Sequence, residues 1–386
     1  MIYLDNNATT QVAPEVFEAM QPFLTSHYGN PSSGHALGRE SRAAVEQARK
    51  EVAALLGARN PDEIAFTSCG SESNNWAIGG FLEQNPNRRQ IITTRVEHEA
   101  VRKLCEHLGE IGCEVTWLEV DEQGSLDLDE LRKALRRDTG IVSIMLANNE
   151  TGVLSPVEEI GRIVREHSDA VFHVDGVQAV GKIPIRLREW EVDLFSISGH
   201  KFYAPKGIGA LYIREGLKLP SFVIGGGQEH GRRSGTEAVP NIVALGRASE
   251  LAREFIGHEQ IRALRDRLEK TILNTISDTS VNGTTAPEKR LPNTTNISFD
   301  GILGPDVVSM LDTAGICVST GSACHSESAE ASPVLSAMKI LKSRALGSIR
   351  FTLGRYTNEV EVDQTLEVLP EIVENLRNKT RLAQAR

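Results

Sequence analysis

Apolar residues between about positions 40 and 215 alternate between the spacing of helices and that of strands. The segment SRAAVEQARKEVAALLG repeats apolar residues along one helical stripe and stops at Gly57. Short apolar runs follow, several of them separated by amphipathic segments of helix length such as SLDLDELRKALRR and PVEEIGRIVREHS. In chain order these runs are EIAFTS, QIITT, EVTWLEV, IVSIMLA, AVFHVD, DLFSIS and GALYI. This alternation of strand-like runs with helix-length segments predicts an α/β domain with a largely parallel sheet.

Beyond VIGGGQEHGRRSGTE the pattern changes to that of a second, α+β unit. We expect a long helical stretch from about residue 243 to 277, then LPNTTNISFDG, a helix near 306–313 and a closing helix from about 358 to 378. At 386 residues the chain exceeds the length at which a single core stops growing. We therefore expect two domains packed around a shared cleft.

Polar residues collect where the predicted strands end, and open α/β sheets bind ligands beyond the carboxyl ends of parallel strands. In AFTSCGSESNN a strand leads into Gly70, Ser71 and a predicted helix, whose free N–H groups suit a phosphate. An ordinary helix cap at Ser71 is the alternative. VEHEAV adds His98, and LANNETG adds Asn148 and Asn149, which could instead cap helices or satisfy loop backbone.

Two further strand ends carry an acid and a lysine. Asp175 ends the strand in FHVDGVQAVGK, and FSISGHKFYAPKG places Ser198, His200 and Lys201 after the next strand. Taken alone, Lys201 is a solvated or carboxylate-paired lysine. Beside an acid and a phosphate cradle it fits pyridoxal phosphate, which needs an amine for its aldehyde, a carboxylate for its ring nitrogen and a phosphate site.

The charge balance limits the classes of partner. The chain has 42 basic and 52 acidic residues and a formal charge of -10, which argues against nucleic acids and anionic membranes.

Its N-terminus, MIYLDNNATT, lacks the pattern of a targeting segment, and no apolar run reaches membrane-spanning length, so we expect a cytoplasmic protein. Five cysteines without CxxC spacing predict reduced thiols and no metal site.

One cysteine stands apart from any apolar pattern. STGSACHSESAEASP surrounds Cys324 with small and polar residues, which is typical of a mobile loop carrying a reactive thiol. An accidental exposed cysteine is the alternative for a single thiol. We assign the remaining cysteines, Cys69, Cys105, Cys113 and Cys317, to packing.

The chain resembles the cysteine desulfurases of the NifS/IscS type, pyridoxal-phosphate enzymes of the aspartate aminotransferase-like fold (fold type I). The motifs behind this resemblance run in order along nearly the whole chain: YLDNNATT, YGNPSS, FTSCGSESNN, VEHEAV, NNETG, HVDGVQAVGK, SGHKFYAPKG, GRRSGTE, LPNTTNISF, GSACHS and IRFTLGRYT. The resemblance implies a large cofactor-binding domain at residues 15–255 with a mainly parallel seven-stranded sheet. It implies a smaller α+β domain at residues 1–14 and 256–386, carrying the catalytic cysteine loop at about 319–333.

By position in these motifs, the resemblance also implies roles for individual residues. Those that would hold the cofactor ring are Lys201 as the covalent attachment, Asp175 at the ring nitrogen, Gln178 at the ring hydroxyl and His98 stacked on the ring. Those that would hold the phosphate are Gly70, Ser71, Ser198 and His200, joined by Thr236 of a second subunit, so a homodimer is implied. Arg350 with Asn149 would bind the substrate carboxylate, and Cys324 would accept the sulfur.

The implied activity converts L-cysteine to L-alanine and leaves the sulfur on Cys324 as a persulfide, with an iron–sulfur scaffold protein as the acceptor. Three positions depart from the usual family pattern: Ser71 replaces threonine, Gly176 replaces alanine and His325 replaces threonine. A transaminase or lyase of the same fold would need no Cys324. A non-catalytic sulfur-relay partner would need neither Lys201 nor Asp175, and selenocysteine stays open as a substrate, as does a nitrogenase-specific or housekeeping role.

Overall fold

The strands form where the apolar runs predict them. In this computed structural model, which describes residues 1–320 and 331–384, the QIITT and GALYI runs are strands over their whole length. In chain order the strands are β1 (Ile2–Tyr3), β2 (Ile64–Thr67), β3 (Gln90–Thr94), β4 (Glu114–Leu118), β5 (Thr139–Ser143), β6 (Val171–Asp175), β7 (Leu194–Ser198), β8 (Gly209–Ile213), β9 (Thr279–Val281), β10 (Thr294–Phe299), β11 (Ile316–Cys317) and β12 (Ser348–Thr352).

Seven of these strands make one sheet in the order β2-β8-β7-β6-β5-β3-β4. Strand β8 runs antiparallel to both of its neighbours, and the other adjacent pairs are parallel. The predicted mainly parallel seven-stranded sheet and the α/β class are therefore confirmed. The carboxyl ends of β2, β3, β5, β6 and β7 share one edge, so the polar residues that follow them are brought together.

Helices cover both faces of this sheet. In chain order the helices are α1 (Pro14–Thr25), α2 (Ala36–Leu56), α3 (Gly70–Asn75), α4 (Phe81–Gln84), α5 (Glu99–Glu110), α6 (Leu128–Ala134), α7 (Val157–His167), α8 (Val239–Phe255), α9 (Glu259–Thr275), α10 (Gly304–Thr313), α11 (Pro333–Ala337), α12 (Lys342–Leu346) and α13 (Glu359–Gln384), and π-helical turns at Trp76–Gly80 join α3 to α4. Consecutive residues of β3 face opposite sides, since Ile91 packs in the core with Trp76 and Ile92 packs in the core with Val45.

The second unit has two small sheets and its own core. Strands β12, β10 and β9 form an antiparallel sheet, and β1 pairs in parallel with β11. Leu4 at the N-terminus packs in this core with Leu268, Phe299 and Phe351, whereas Ala13 packs in the core of the large sheet. The division of the chain at residues 14 and 255 stays a prediction, and this separation of the two cores supports it.

One predicted element differs from the structure. The stretch expected to be helical from about 243 to 277 is two helices, α8 and α9, separated by a short turn. Gly257 lies in that turn with φ +94°, a left-handed backbone angle that side-chain-bearing residues rarely adopt. The apolar periodicity continues across the break because both helices bury one face, so periodicity alone does not reveal the turn.

The N-terminal segment between the two cores passes directly over the sheet edge. Leu4 N donates to Cys317 O at 2.9 Å in the second unit, and Thr10 N donates to His200 O at 2.8 Å beside β7. Between them, Asn7 Nδ2 donates to Thr294 Oγ1 at 3.0 Å. This segment therefore links the second unit to the edge of the large sheet where the strands end.

Candidate active site

A cavity of about 270 Å³ lies at the carboxyl edge of the large sheet. Its lining includes most of the residues that the sequence singles out, namely Gly70, Ser71, His98, Asn149, Asp175, Gln178, Ser198, His200 and Lys201. The remaining wall is made by Cys69, Asn74, Ala100, Met145, Ala147 and Val177. Residues that are far apart in the chain thus meet in one concave, partly polar space.

Lys201 stands in a short 3₁₀ turn after β7 and is only partly exposed. Its Nζ donates to the carbonyl oxygens of Asn7 at 2.6 Å and Ala8 at 2.8 Å, both in the N-terminal segment. Burial and, to a smaller extent, the Arg350 cation lower the pKa of the amine to about 8, while Asp5 and Asp175 oppose the shift. A lysine amine with such a pKa is partly neutral near physiological pH and can act as a nucleophile or base.

We expect the apoprotein to capture an aldehyde at lower pH than an exposed lysine would. Only the neutral amine attacks a carbonyl, and an unperturbed lysine has a pKa of about 10.4. Because the folded protein lowers the pKa of Lys201 to about 8, the capture rate should rise with pH through about 8 and level off above it. Stopped-flow absorbance after mixing apoprotein with pyridoxal phosphate measures this profile, and a midpoint near that of free lysine would contradict it.

Asp175 is the last residue of β6 and is buried. Its carboxylate accepts two hydrogen bonds. Asn74 Nδ2 donates to Asp175 Oδ2 at 2.8 Å, and Val177 N donates to Oδ1 at 3.0 Å. Asn74 lies one turn into the helical segment that begins at Gly70. The sequence interpretation did not single out Asn74, because SESNN has the composition of an ordinary first helical turn. Asn74 holds the carboxylate in one orientation, so it is a positioning residue.

Gly176 departs from the alanine of the family pattern, and its neighbour Phe195 explains the difference. An ideal Cβ at residue 176 would lie 1.9 Å from Phe195 Cζ, and the Phe195 ring is fully buried. The ring therefore occupies the space that an alanine methyl would need. An alanine methyl at this position would force the Phe195 ring or the backbone next to Asp175 to shift, whereas glycine fits.

Gly176→Ala is accordingly expected to destabilise the protein by about 1–3 kcal/mol, the range for overpacked cores. Urea unfolding measures the change. Gly34→Ala is the matched control, because Gly34 has no atom within 4 Å of its ideal Cβ and should tolerate the methyl group. Phe195→Leu in the Gly176→Ala background should recover part of the loss, whereas equal stability of wild type and Gly176→Ala would disprove the steric argument.

The end of the cavity at β2 has the features of a phosphate cradle. Gly70 begins α3 and is buried, and an ideal Cβ there would lie 2.7 Å from Val177 Cγ2. The residue at the cap position of this helix is Cys69, whose side chain accepts no hydrogen bond from the helix. The alternative that Ser71 is the helix cap is therefore wrong. Ser71 is exposed and lines the cavity instead.

His200 and Ser198 follow β7 at the same end of the cavity. His200 Nδ1 lies 3.1 Å from Thr9 Oγ1 of the N-terminal segment. Burial and, to a smaller extent, the cations of Lys201, Lys206 and Lys182 lower the pKa of His200 to about 4. The ring is therefore neutral at physiological pH and contributes a hydrogen bond rather than a charge.

His98 lines the cavity and also caps a helix, so the predicted site role and the helix-capping alternative are compatible. It is the cap residue of α5, and its Nδ1 accepts from Ala100 N at 3.1 Å. A neutral imidazole that accepts at Nδ1 carries its proton on Nε2. Asn148, by contrast, serves the loop backbone, because its Oδ1 accepts from Glu150 N and Thr151 N at 2.9 Å each.

Arg350 lies on β12 beside the cavity and is buried. Its Nη2 pairs with Asp5 Oδ1 at 2.7 Å, and its Nη1 donates to Asn149 O at 2.9 Å. Arg350 Nε and Asn149 Oδ1 are both buried without a hydrogen-bond partner among the residues that the structure describes. An orphaned guanidinium N–H and an orphaned amide oxygen next to a cavity are the features of a ligand-binding wall.

The remaining predicted residues are Thr236, Cys324 and His325. Thr236 is exposed and is not part of the cavity lining. Cys324 and His325 lie outside the described residues. The described chain on either side of them is held next to Asn149 of the cavity lining. Arg350, which donates to Asn149 O, also donates from its backbone N to Ser319 O at 2.6 Å, and Ser332 Oγ donates at 2.6 Å to Oε2 of Glu150, the residue after Asn149.

Besides Asn74, two further residues in or next to the cavity were not predicted. Cys69 lines the cavity, so its assignment to packing is wrong; its place directly after the β2 strand was the available signal. Glu97, next to His98, is buried, and its Oε1 accepts from Met145 N at 2.9 Å and Thr94 Oγ1 at 2.8 Å. Burial raises the pKa of Glu97 to about 8. Glu97 thereby ties the His98 segment to the opposite wall at Met145.

The lining fits pyridoxal 5′-phosphate. Lys201 supplies the amine and Asp175 the carboxylate. Gly70 supplies backbone at a position where a Cβ would come too close to Val177. Asn74 Oδ1 and Asn149 Oδ1, both on the lining, are buried acceptors that lack a partner within residues 1–320 and 331–384. No group of three or more potential metal ligands occurs in the described part of the chain. Nor does that part contain a helix long and apolar enough to cross a membrane.

Comparison with known proteins shows the family to which the chain belongs. The model of the family described as "Aminotransferase class-V" matches residues 2–365. Cysteine desulfurase 2 of Trichormus variabilis is 53% identical over 378 residues, covering 98% of this chain and 94% of the relative. Cysteine desulfurase NifS of Azotobacter vinelandii is 47% identical over 379 residues, with 98% and 94% covered.

Solved structures give the same result. A structure described as a NifS-like protein superposes with a TM-score of 0.91 at 41% identity, covering 97% of this chain and 100% of that chain. SspA in complex with cysteine superposes with a TM-score of 0.82 at 35% identity, covering 93% and 100%. The chain therefore belongs to the class-V aminotransferase family of pyridoxal-phosphate-dependent enzymes with fold type I, in the group that contains the cysteine desulfurases.

Proposed function

We propose that this enzyme is a cysteine desulfurase that converts L-cysteine to L-alanine and leaves the sulfur on Cys324 as a persulfide. The observation that carries the proposal is the anchoring of the chain on both sides of Cys324. Ser319 is bonded to Arg350, and Ser332 is bonded to Glu150, the residue after Asn149. The segment with Cys324 thus begins and ends at the wall that would bind the substrate carboxylate.

Arg350 and Asn149 are the proposed carboxylate site. A guanidinium binds a carboxylate with two parallel hydrogen bonds, and Arg350 has a buried Nε–H without a partner in the described structure. Asp5, which pairs with Nη2 at 2.7 Å, neutralises the arginine while no substrate is bound. The amino group of the substrate then points toward Lys201, whose charge already interacts with that of Arg350.

Lys201 is the proposed proton carrier at the substrate Cα. Its lowered pKa gives a neutral fraction near physiological pH, so it can accept a proton and return it. Bound pyridoxal phosphate supplies an electron sink for the carbanion that this proton transfer generates. Asp175, oriented by Asn74 and by Val177 N, provides the negative charge that keeps the ring nitrogen protonated.

Cys324 is the proposed nucleophile toward the substrate sulfur. Its thiolate forms an S–S bond to that sulfur while the C–S bond of the substrate breaks, and the electron pair of that bond remains with the substrate carbon. Protonation of the carbon gives alanine, so one cysteine and one thiol become one alanine and one persulfide.

A free thiol has a pKa of about 8.5, so a nearby group must assist its ionisation. His98 Nδ1 is occupied by Ala100 N, which leaves His98 as a proton donor through Nε2 and favours His325 as the proton acceptor.

The test is production of alanine and sulfide from L-cysteine with a reductant, comparing wild type with Cys324→Ser. Cofactor absorbance is recorded for each protein to show that the site is loaded. We expect wild type to make both products and the loaded Cys324→Ser variant to lose at least about 100-fold in rate, as expected for loss of a nucleophile. Cys317→Ser is the control, because Cys317 is a partly exposed thiol outside the cavity lining and its loss should leave activity unchanged. Equal rates for wild type and Cys324→Ser would favour a transaminase or lyase.

The proposal includes a homodimer in the cytoplasm with an iron–sulfur scaffold protein as the sulfur acceptor. Thr236 would reach the phosphate of the neighbouring subunit. Phe222, Val223 and Ile224 are 40%, 39% and 92% exposed, an apolar surface that a second copy would cover. Ser234 N donates to Val223 O at 3.0 Å, so this surface is joined to the segment of Thr236. Sedimentation velocity checks the assembly, and a fully active monomer would contradict it.

A further inference from the structure

Lys182 is a second lysine beside the cavity, and its surroundings are unusual. It lies in the turns that follow β6. Its Nζ donates to Gln178 O at 2.8 Å and to Gln178 Oε1 at 3.0 Å. Burial lowers the pKa of Lys182 well below its usual value, and the cations of Lys201 and Arg350 lower it further. A lysine used only for solubility would lie in water, so this costly position calls for a local role.

The contact with Lys182 determines which way the Gln178 amide points. Lys182 Nζ donates to Oε1, and the carbonyl oxygen of Asn7 can only accept, so the two contacts together favour the orientation with Oε1 toward Nζ. At the other end of the amide, Nε2 donates to Asn7 O at 2.9 Å. Both ends of the amide are therefore fixed, and the second N–H of Nε2 is the polar group left for the cavity that Gln178 lines.

We infer that Lys182 is a positioning residue that makes Gln178 a hydrogen-bond donor to the ring oxygen of the cofactor. The inference rests on the proposed cofactor site. The ring oxygen of bound pyridoxal phosphate is an electron-rich acceptor, so an N–H directed at it is stabilising. The flipped amide would direct its own oxygen at that acceptor and would be repelled. Lys182 removes the flipped orientation without touching the cofactor.

This arrangement has a spectroscopic consequence. A donor at the ring oxygen withdraws negative charge from the neighbourhood of the nitrogen that joins Lys201 to the cofactor. That nitrogen then holds its proton less firmly, so it loses the proton at lower pH. Removing the donor should raise the pH midpoint of the cofactor absorbance change.

The experiment is a spectrophotometric pH titration of the holoenzyme for wild type, Lys182→Met, Gln178→Leu and the double variant. We expect each single variant to raise the midpoint by about 1 pH unit, the size of one lost charge-assisted hydrogen bond. The double variant should show the same rise as either single variant, because both remove one interaction. Lys206→Met is the matched control: Lys206 is exposed, acts on His200 electrostatically and should leave the midpoint within about 0.3 units. Lys182→Leu replaces Lys182→Met in the series if the latter is insoluble.

Two results would overturn the inference. An unchanged midpoint in Lys182→Met would show that Lys182 does not act on the cofactor through Gln178. Additive rises in the double variant would show that Lys182 acts as an independent charge. A wild-type protein that binds no pyridoxal phosphate would instead overturn the proposed cofactor site, so the two failures are distinguishable.

Discussion

Replacing Lys201 with alanine is expected to abolish turnover of L-cysteine and the absorbance of the lysine-bound cofactor. The amine is the group placed to attach the cofactor and to move the Cα proton, and loss of a general acid–base group alone reduces rates by about 10²–10⁴-fold. Because attachment is lost as well, we expect the upper end of this range. Alanine formation and cofactor absorbance of the purified variant are the two measurements.

Lys206→Ala provides the control, because this exposed lysine belongs to the same loop as Lys201 and lies outside the cavity lining. It should keep wild-type absorbance and rate. A Lys201→Ala protein that retained the spectrum of the lysine-bound cofactor would show that another amine holds it. Lys182 would then be the residue to examine, since it also lies beside the cavity.

Asp175→Asn is expected to reduce kcat by about 10²–10³-fold, the usual effect of removing a preorganised electrostatic group. The substitution preserves the shape of a buried side chain but removes the charge that is proposed to face the ring nitrogen. Steady-state rates of alanine formation measure the effect. Thermal unfolding of the loaded protein shows whether the buried site has been disturbed.

Asn74→Ala makes a graded comparison, because it leaves the carboxylate and removes only its 2.8 Å donor. A hydrogen bond to a charged group contributes about 1.5–3 kcal/mol, and about 1.4 kcal/mol is tenfold in rate, so a loss of about 10- to 100-fold in kcat is expected. If Asn74→Ala were as inactive as Asp175→Asn while still binding cofactor, the charge of Asp175 would not be the decisive property. Equal activity of Asp175→Asn and wild type would exclude Asp175 from the chemistry.

The order of the sheet strands could not be obtained from the sequence, although the strands themselves could. Runs such as QIITT and GALYI match β3 and β8 over their whole length, because strands buried on both faces appear as continuous apolar segments. Strand β8, however, lies antiparallel between β2 and β7, which are far apart in the chain. Pairing of this kind depends on how distant segments pack, and a local pattern does not contain it.

The residues at strand ends were predictable for a physical reason. Parallel strands present their carboxyl ends at one edge, so Asp175 and Lys201 could be expected to meet once the parallel sheet was inferred. Asn74, Glu97 and Lys182 were missed because their local sequences are compatible with ordinary capping, surface or loop roles. What distinguishes them is a partner: Asp175 for Asn74, Met145 N for Glu97 and the Gln178 amide for Lys182.

By itself the sequence determined the α/β class, the two-unit organisation expected of the chain, and the residue types needed for a lysine-bound cofactor. These depend on hydrophobic periodicity and on the chemistry of single side chains, which are local properties. Tertiary structure alone decided that Asn7 and Ala8 hold the Lys201 amine and that Asp5 pairs with Arg350. Those contacts join residues on opposite sides of a cavity, and burial there sets the pKa of Lys201 near 8. Desolvation and long-range pairing exist only in the folded chain, so no local sequence pattern could have specified them.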